Sequence, residues 1–485
     1  MNQPPNLLKK LEVYGKTDFY PFHMPGHKRQ YGCSFGREFP NPYSIDLTEI
    51  EGFDNLHNPV GILKESMDWA SSIYGSDRSY YLVNGSSCGI LSAISATVPH
   101  GGTILVSRNC HKSVFHGVFL NQLQVEYVYP HMIEEFGVQS GLIPETVEKM
   151  LINHPEIKAV LIVSPTYDGV VSDIEKIAKI VHNFQIPLIV DEAHGAHFPF
   201  GKNDGFPVSA IECGADVVIQ SLHKTLPSFT QTAIMHVKEG YVDIGKLNRY
   251  TQMYQTSSPS YVLLAGIENC IRFMTGEGMQ KMKDFSINLA RLRDQLSRLD
   301  HFKLLRRSVD LRNGIFDLDP SKIIISTRNT SLSGKELMDI LRSEYHLEME
   351  MCSSDSITAI TTLMDTKEGF DRLVQAMSQI DEKTKKADKD RINSNRKILS
   401  ISKSECPLTI AEAMDQTRTR VLLEQTVDRI STEFVYVYPP GIPIVTPGEI
   451  LSKEIVEQIK FYKKQNLMIQ GMEDETADFL YVVEK

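Results

Sequence analysis

Short apolar runs alternate with longer amphipathic stretches from about Ser79 onward. The amphipathic stretches predict helices, most clearly at 86–98, 113–121 and 174–184, because their apolar residues recur with helical spacing. The apolar runs predict strands at Tyr80–Val83, Thr103–Val106, Val125–Val128, Lys158–Val163, Pro187–Val190 and Val217–Gln220. Strands rich in Val, Ile and Leu that alternate with helices are typical of a parallel sheet covered on both faces. The pattern therefore predicts an α/β fold with a mostly parallel sheet.

The pattern changes beyond these strands, where 263–305 is mainly helical and leads into a smaller α+β unit. The elements predicted for that unit are a strand at Lys322–Ser326, a helix at Gly334–Tyr345 and a strand at Ile357–Leu363. The highly charged stretch Asp381–Lys397 predicts a solvated helix that runs into a linker. We therefore expect three parts, namely an N-terminal segment at 1–55, a large domain at 56–310 and one or more small C-terminal domains at 311–485.

Charge and cysteine usage exclude several classes of protein. The 485 residues include 51 basic and 61 acidic side chains, and the net charge of −10 disfavours a nucleic-acid binder, which needs a basic face. The seven cysteines have irregular spacings without a CxxC pair, so neither a disulfide framework nor a metal site is indicated. No apolar run approaches the roughly 18 residues of a membrane span, and the N-terminus lacks an apolar signal core. We expect a cytoplasmic protein without membrane or nucleic-acid partners.

Two charged residues follow neighbouring predicted strands. Lys224 comes shortly after Val217–Gln220, and Asp191 ends the apolar run Pro187–Val190. Open α/β sheets bind ligands at the carboxyl ends of their strands, so both residues are expected at the binding edge. Taken singly, Lys224 has the ordinary explanation of a surface lysine and Asp191 that of a helix cap. Together they suit pyridoxal 5'-phosphate (PLP), which needs a lysine amine and an acidic partner for its ring nitrogen.

Two further segments follow predicted strands earlier in the chain. The segment Asn84–Gly89 contains Gly85, Ser86 and Ser87 and precedes a helix, whose N-terminus favours a bound anion such as a phosphate. His111 follows the next strand and is suited to stacking on a cofactor ring. An N-cap and a structural histidine are the ordinary explanations for each segment alone. The order of phosphate loop, stacking histidine, ring-nitrogen aspartate and lysine favours a PLP site.

The sequence resembles the Orn/Lys/Arg decarboxylases, which are fold type I PLP enzymes. The resemblance covers most of the chain, from Phe22–Lys28 (FHMPGHK) to Tyr438–Pro443 (YPPGIP) and Pro447–Glu449. Its most specific pieces are Asn109–Ser113 (NCHKS), Ser164–Gly169 (SPTYDG) and Ser221–Leu226 (SLHKTL). It implies an aspartate aminotransferase-like large domain with a smaller C-terminal α+β domain. It also implies removal of the α-carboxylate from arginine, lysine or ornithine, with arginine or lysine preferred.

The resemblance also implies roles for individual residues. Lys224 would bind PLP covalently, Asp191 would hold its ring nitrogen and His111 would stack on its ring, with His223 or Lys224 supplying a proton. The remaining cofactor contacts would come from Ser86, Ser87, Ala193, Ser221 and His223, together with Ser257 and Ser258 reaching the phosphate of a neighbouring subunit. Glu433 would recognise the substrate. These roles imply a homodimer or higher homo-oligomer with shared active sites.

Two departures from the long members of the family accompany the resemblance. Long members carry an N-terminal wing domain, whereas the motifs here begin by Phe22, so the resemblance implies the short form without the wing. Long members also tend to have Trp near the position of His194. Two other functions remain open from the residues alone, namely another fold type I PLP enzyme such as an aminotransferase, and a non-catalytic PLP-binding protein.

Overall fold

The structure is a computed structural model that describes residues 6–30, 32, 36, 39–307, 314–384, 403–437, 441–465 and 467–484. The predicted turn at Tyr438-Pro439-Pro440 and residues 385–397 of the predicted linker lie outside the described residues. The start of that charged stretch is not a separate solvated helix. Asp381 is buried near the end of the helix Lys367–Lys383, where its carboxylate accepts the backbone N–H groups of Asp300 and His301.

A seven-stranded sheet forms the centre of the large domain. Its strands, in spatial order, are Arg78–Leu82, Ala233–Val237, Val217–Gln220, Leu188–Asp191, Ile157–Val163, Thr103–Ser107 and Gln124–Val128. The last five in this order run parallel to one another, and Ala233–Val237 is antiparallel to both of its neighbours. The predicted mostly parallel α/β sheet is therefore confirmed. Sequence reasoning missed Ala233–Val237, which inserts beside the strand that precedes Lys224.

Helices cover both faces of this sheet, since separate apolar cores lie on its two sides. Up to residue 300, the described part of the chain contains the α-helices Leu7–Gly15, Pro42–Ile45, Ile62–Tyr74, Gly85–Thr97, Lys112–Leu120, Pro144–Asn153, Ile174–Asn183, Phe198–Gly201, Leu222–Thr225, Ile244–Tyr254, Tyr261–Thr275 and Glu277–Leu296. Among the residues that the structure describes, no helix combines the length and apolar character needed to cross a membrane.

The second unit is built on a four-stranded sheet. Its strands are Lys303–Leu304, Lys322–Ser326, Ser356–Ile360 and Met351–Cys352, and its helices are Gly334–Tyr345 and Lys367–Lys383. The N-terminal strand Tyr20–Phe22 pairs in parallel with Leu347–Met349 beside this sheet. The N-terminal segment is therefore joined to the second unit, and residues 23–28 pass from there towards the large domain.

The third unit, within residues 403–484, has its own apolar core. Its elements are the strand pair Arg418–Leu422 and Phe479–Val483, the strands Val435–Val437, Ile442–Val445 and Ile469–Gln470, and the helices Ile410–Asp415 and Lys453–Lys464. A fully buried ion pair between Arg108 and Glu449, 3.1 Å apart, joins it to the large domain. The Arg108 guanidinium also donates to the carbonyl oxygens of Pro443 and Ile444. The expected range 311–485 thus contains two units with different cores.

Candidate active site

A cavity of about 310 Å³ lies where the large domain, the second unit and the N-terminal segment meet. Its walls come from residues at the carboxyl ends of the sheet strands and from loops of the other units. The residues that line it are Met24, Gly85, Ser86, Ser87, Asn109, His111, Val163, Tyr167, Asp191, Ala193, His194, His223, Lys224, Glu350 and Ile442. Most of the predicted site residues are therefore brought together in one cavity.

Lys224 projects into this cavity from the short helix Leu222–Thr225, directly after the strand Val217–Gln220. Burial lowers the pKa of its amine, and the nearby carboxylates of Asp191 and Glu350 act in the opposite direction. A lowered pKa increases the fraction of neutral amine, which is the form that attacks a carbonyl carbon. Gly26 packs against the residues that follow Lys224, where an added Cβ would lie 2.6 Å from the Leu226 carbonyl oxygen.

Asp191 is the last residue of its strand and is almost completely buried. It lies in register with Val163 on one neighbouring strand and Ile219 on the other, which fixes its position at the sheet edge. Its Oδ1 accepts the backbone N–H of Ala193 at 3.1 Å. Burial raises the pKa of Asp191, and the positive charge of Lys224 acts against this rise. The arrangement provides a carboxylate that a protonated ring nitrogen would satisfy.

A phosphate group needs a site for an anion, and such a site lies near the start of the helix Gly85–Thr97. Gly85 has φ of +76°, a conformation that glycine adopts without strain, and Ser86 and Ser87 form the first turn. The Ser221 hydroxyl is buried and has no hydrogen-bond partner among the described residues. His223 lies in the cavity wall with its Nδ1 3.0 Å from the Thr232 carbonyl oxygen. An unsatisfied buried hydroxyl is costly, and a phosphate oxygen is a suitable partner.

His111 is the N-cap of the helix Lys112–Leu120, and its Nδ1 lies 2.9 Å from the Ser113 hydroxyl. Burial, with a further contribution from Lys224, lowers the pKa of His111 to about 3. The ring is therefore neutral at physiological pH, and it lines the cavity. An amine, a carboxylate, a neutral aromatic ring and an unsatisfied hydroxyl thus lie in or beside one cavity, and this set fits PLP.

The structure adds a second lysine to the site, which sequence reasoning missed. Lys322 lies on the strand Lys322–Ser326 of the second unit and is fully buried. The His194 ring lies between two amines, with Nε2 3.0 Å from Lys224 Nζ and Nδ1 3.0 Å from Lys322 Nζ. A neutral imidazole has one N–H and one lone pair, so it hydrogen-bonds to both amines only if one of them is unprotonated. Burial lowers the pKa of Lys322 to about 8 and that of His194 well below its ordinary value.

A carboxylate from the second unit also reaches the cavity. Glu350 accepts hydrogen bonds from the Tyr167 hydroxyl and from the Met24 backbone N–H, the latter at 2.9 Å. The Tyr167 ring in turn contacts the His194 ring edge-on, with centroids 4.7 Å apart. Tyr167 belongs to the motif Ser164–Gly169 and Met24 to the motif Phe22–Lys28. In contrast, nothing in the local pattern around Glu350 indicates a site residue.

Four predicted site residues do not line the cavity of their own chain. One of them, Ser221, is buried directly after the strand Val217–Gln220. The structure does not bring Glu433 there, because its two carboxylate oxygens accept the backbone N–H groups of Glu473 and Tyr481, both at 2.7 Å. The Glu433 carboxylate therefore forms these hydrogen bonds within the third unit. Ser257 and Ser258 are exposed in the loop after the helix Ile244–Tyr254. Their predicted contact with a neighbouring subunit stays a prediction.

Comparison with known proteins gives matches along most of the chain. The model of the major domain of the Orn/Lys/Arg decarboxylases matches residues 4–323, and that of their C-terminal domain matches residues 397–479. The chain is 33% identical to the arginine decarboxylase of Bacillus subtilis over 481 residues, which cover 98% of this chain and 97% of that protein.

Solved structures show the same fold. The lysine decarboxylase of Francisella novicida superimposes with a TM-score of 0.77 at 20% identity, covering all of this chain and 82% of that one. An alanine–glyoxylate aminotransferase of Nostoc superimposes with a TM-score of 0.53 at 14% identity, covering 67% of this chain and 88% of that one. These likenesses confirm the predicted fold type I architecture. With the two family matches and the full-length similarity, they identify the chain as a member of the Orn/Lys/Arg decarboxylase family.

Proposed function

We propose that this chain decarboxylates a basic L-amino acid with PLP bound at Lys224, and that arginine is the preferred substrate. The observation that carries the proposal is the meeting of Lys224, Asp191 and His111 in one cavity at the carboxyl edge of the sheet. The preference for arginine rests on the full-length relatives at 33% identity, which are named arginine decarboxylases. Lysine and ornithine are the other candidates, and the products would be agmatine, cadaverine or putrescine.

The residues of the cavity divide into those that hold the cofactor and those that act on the substrate. Ser86, Ser87 and Ser221 would bind the phosphate, Asp191 the ring nitrogen, and His111 and Ala193 the two faces of the ring. Bound PLP supplies an electron-accepting ring that takes up the electrons of the Cα–carboxylate bond as CO₂ leaves. The Asp191 carboxylate would stabilise a positive charge on the ring nitrogen, and this uptake depends on that charge.

The protein must then deliver one proton to Cα, because the carboxylate leaves as CO₂ and a hydrogen takes its place. Lys224 and His223 both line the cavity and are the candidates for this general acid. His194 contacts Lys224 directly and connects it to Lys322, so it is placed to exchange a proton with the lysine amine. The second unit contributes Glu350 to the cavity wall.

Assembly and location complete the proposal. The exposed Ser257 and Ser258 lie outside their own cavity, which suits a role at the phosphate of a neighbouring subunit. We therefore expect a homodimer, or a higher homo-oligomer, with shared active sites. We also expect it to act in the cytoplasm on a free amino acid.

The test is to incubate the purified protein with arginine, lysine and ornithine separately, without a keto acid, and to quantify CO₂ and each amine. Agmatine should form fastest. Borohydride reduction followed by peptide mapping should place the cofactor on Lys224, and Lys224→Ala should remove both the label and turnover. Amino-group transfer that requires a keto acid would instead identify an aminotransferase. A yellow protein that turns over none of the three amino acids would identify a non-catalytic PLP-binding protein.

A further inference from the structure

The cavity is lined by two carboxylates, and they come from different units of the fold. Asp191 ends a strand of the central sheet, and Glu350 lies between the strands Leu347–Met349 and Met351–Cys352 of the second unit. Asp191 is adjacent to the position of the ring nitrogen in the proposed function. Glu350 is therefore the carboxylate of the cavity that remains for another partner.

Two neighbours fix the direction of Glu350. The Tyr167 hydroxyl donates to Oε1, and the backbone N–H of Met24 donates to Oε2 at 2.9 Å. Each oxygen keeps a further lone-pair direction, because a carboxylate oxygen accepts about two hydrogen bonds. The contacts come from the large domain and from the N-terminal segment, so the carboxylate is preorganised for a ligand.

No cation of the described residues lies within ion-pair distance of Glu350. The neighbouring lysines have other contacts. Lys28 donates to the carbonyl oxygens of His23 and Ile360, at 2.8 and 2.7 Å, while Lys224 and Lys322 contact His194. A partly buried carboxylate without a close cation gains most from a ligand that brings a positive charge.

We propose that Glu350 binds the cationic end of the substrate side chain and is the specificity-determining residue for basic amino acids. This inference rests on the proposed function and adds the group that selects the substrate. It also replaces Glu433 in that role within one chain, because both Glu433 carboxylate oxygens are already used by backbone N–H groups of the third unit.

Tyr167 connects the two ends of the site. It donates to Glu350, and its ring contacts His194, which lies 3.0 Å from the Lys224 amine. The carboxylate that would select the side chain and the lysine that would hold the cofactor are therefore separated by two side chains.

The test compares Glu350→Gln with wild type in the holoenzyme, using arginine, lysine and norleucine, whose side chain has no positive charge. Binding is followed by the change in cofactor absorption, and turnover is followed by amine release. Glu350→Gln should weaken the binding of arginine and lysine by about tenfold to a hundredfold, which is the effect expected for one charge-assisted hydrogen bond. The binding of norleucine should stay unchanged. The glutamine retains hydrogen-bonding capacity for Tyr167 and Met24, so the cofactor content should stay the same.

Glu348→Gln is the matched control, because Glu348 precedes Glu350 by two residues and pairs instead with Arg342 at 3.0 Å. It should behave as wild type. Glu350→Asp keeps the charge and should retain the preference for arginine over norleucine, even if Glu350→Gln folds poorly. The proposal would be overturned if Glu350→Gln weakened the binding of norleucine as much as that of arginine, or if it did not weaken binding at all. It would also be overturned if only Glu433→Gln selectively weakened the binding of the basic amino acids. Absence of CO₂ release by wild type would refute the proposed function separately, because the binding preference is measured without turnover.

Discussion

Lys322 is a buried lysine whose replacement by methionine should stabilise the fold at neutral pH while it damages the site. Burial lowers its pKa from the ordinary 10.5 to about 8, although Asp319 and Glu350 act in the opposite direction. Lys322 therefore binds its proton more tightly in the unfolded chain than in the folded chain. Between about pH 8 and pH 10.5 the unfolded state holds more protons, so this lysine makes the free energy of unfolding rise with pH across that window.

The size of the effect follows from the two pKa values. One pKa unit corresponds to about 1.4 kcal/mol, so a pKa lowered from 10.5 to about 8 costs roughly 3 kcal/mol of stability below pH 8. Lys322→Met has no such cost, because a methionine side chain carries no charge. The stability of the variant relative to wild type should therefore be greatest near pH 7 and should fall by about 3 kcal/mol once pH exceeds 10.5.

The assay is chemical denaturation of both apoproteins at pH 7.5 and pH 10, followed by circular dichroism. Lys246→Met is the control, since Lys246 is exposed on the helix Ile244–Tyr254 and its replacement removes a lysine charge that is not buried. Lys322→Met should also lose activity, because His194 loses one of its two amine contacts. A difference in unfolding free energy that stays constant between the two pH values would refute the reasoning. A fully active variant would remove Lys322 from the site.

Two further predictions concern the Arg108–Glu449 ion pair, which joins the third unit to the large domain, and the charge of Asp191 in the cavity. Glu449→Ala leaves the Arg108 guanidinium buried without its carboxylate, so it should cost about 3–5 kcal/mol in unfolding free energy, and a cost below about 1 kcal/mol would contradict the role of the pair. Asp191→Asn is nearly isosteric and removes the charge beside the ring nitrogen, so kcat should fall strongly while the melting temperature changes little. An unchanged kcat would leave Asp191 a structural residue.

The sequence by itself determined six of the seven strands of the large sheet and the residues that follow their carboxyl ends. Val217–Gln220 and Lys322–Ser326 were predicted with the bounds that the structure has, and the other five predicted strands of the large sheet agree to within two residues. This succeeded because buried parallel strands are continuous apolar runs and their ends are marked by polar residues. Lys224, Asp191 and His111 follow such ends, so local pattern was sufficient to place all three at one cavity.

Only the tertiary structure decided which residues from other units complete that cavity. Lys322 lies in an apolar strand and Glu350 in a short irregular segment, and neither position differs in local pattern from an ordinary structural residue. Their contacts with His194, Tyr167 and Met24 join residues more than 100 positions apart. Spacing along a chain carries information about neighbours within one element, whereas contacts between units depend on how their faces pack. For the same reason the destination of the Glu433 carboxylate became visible only in the fold.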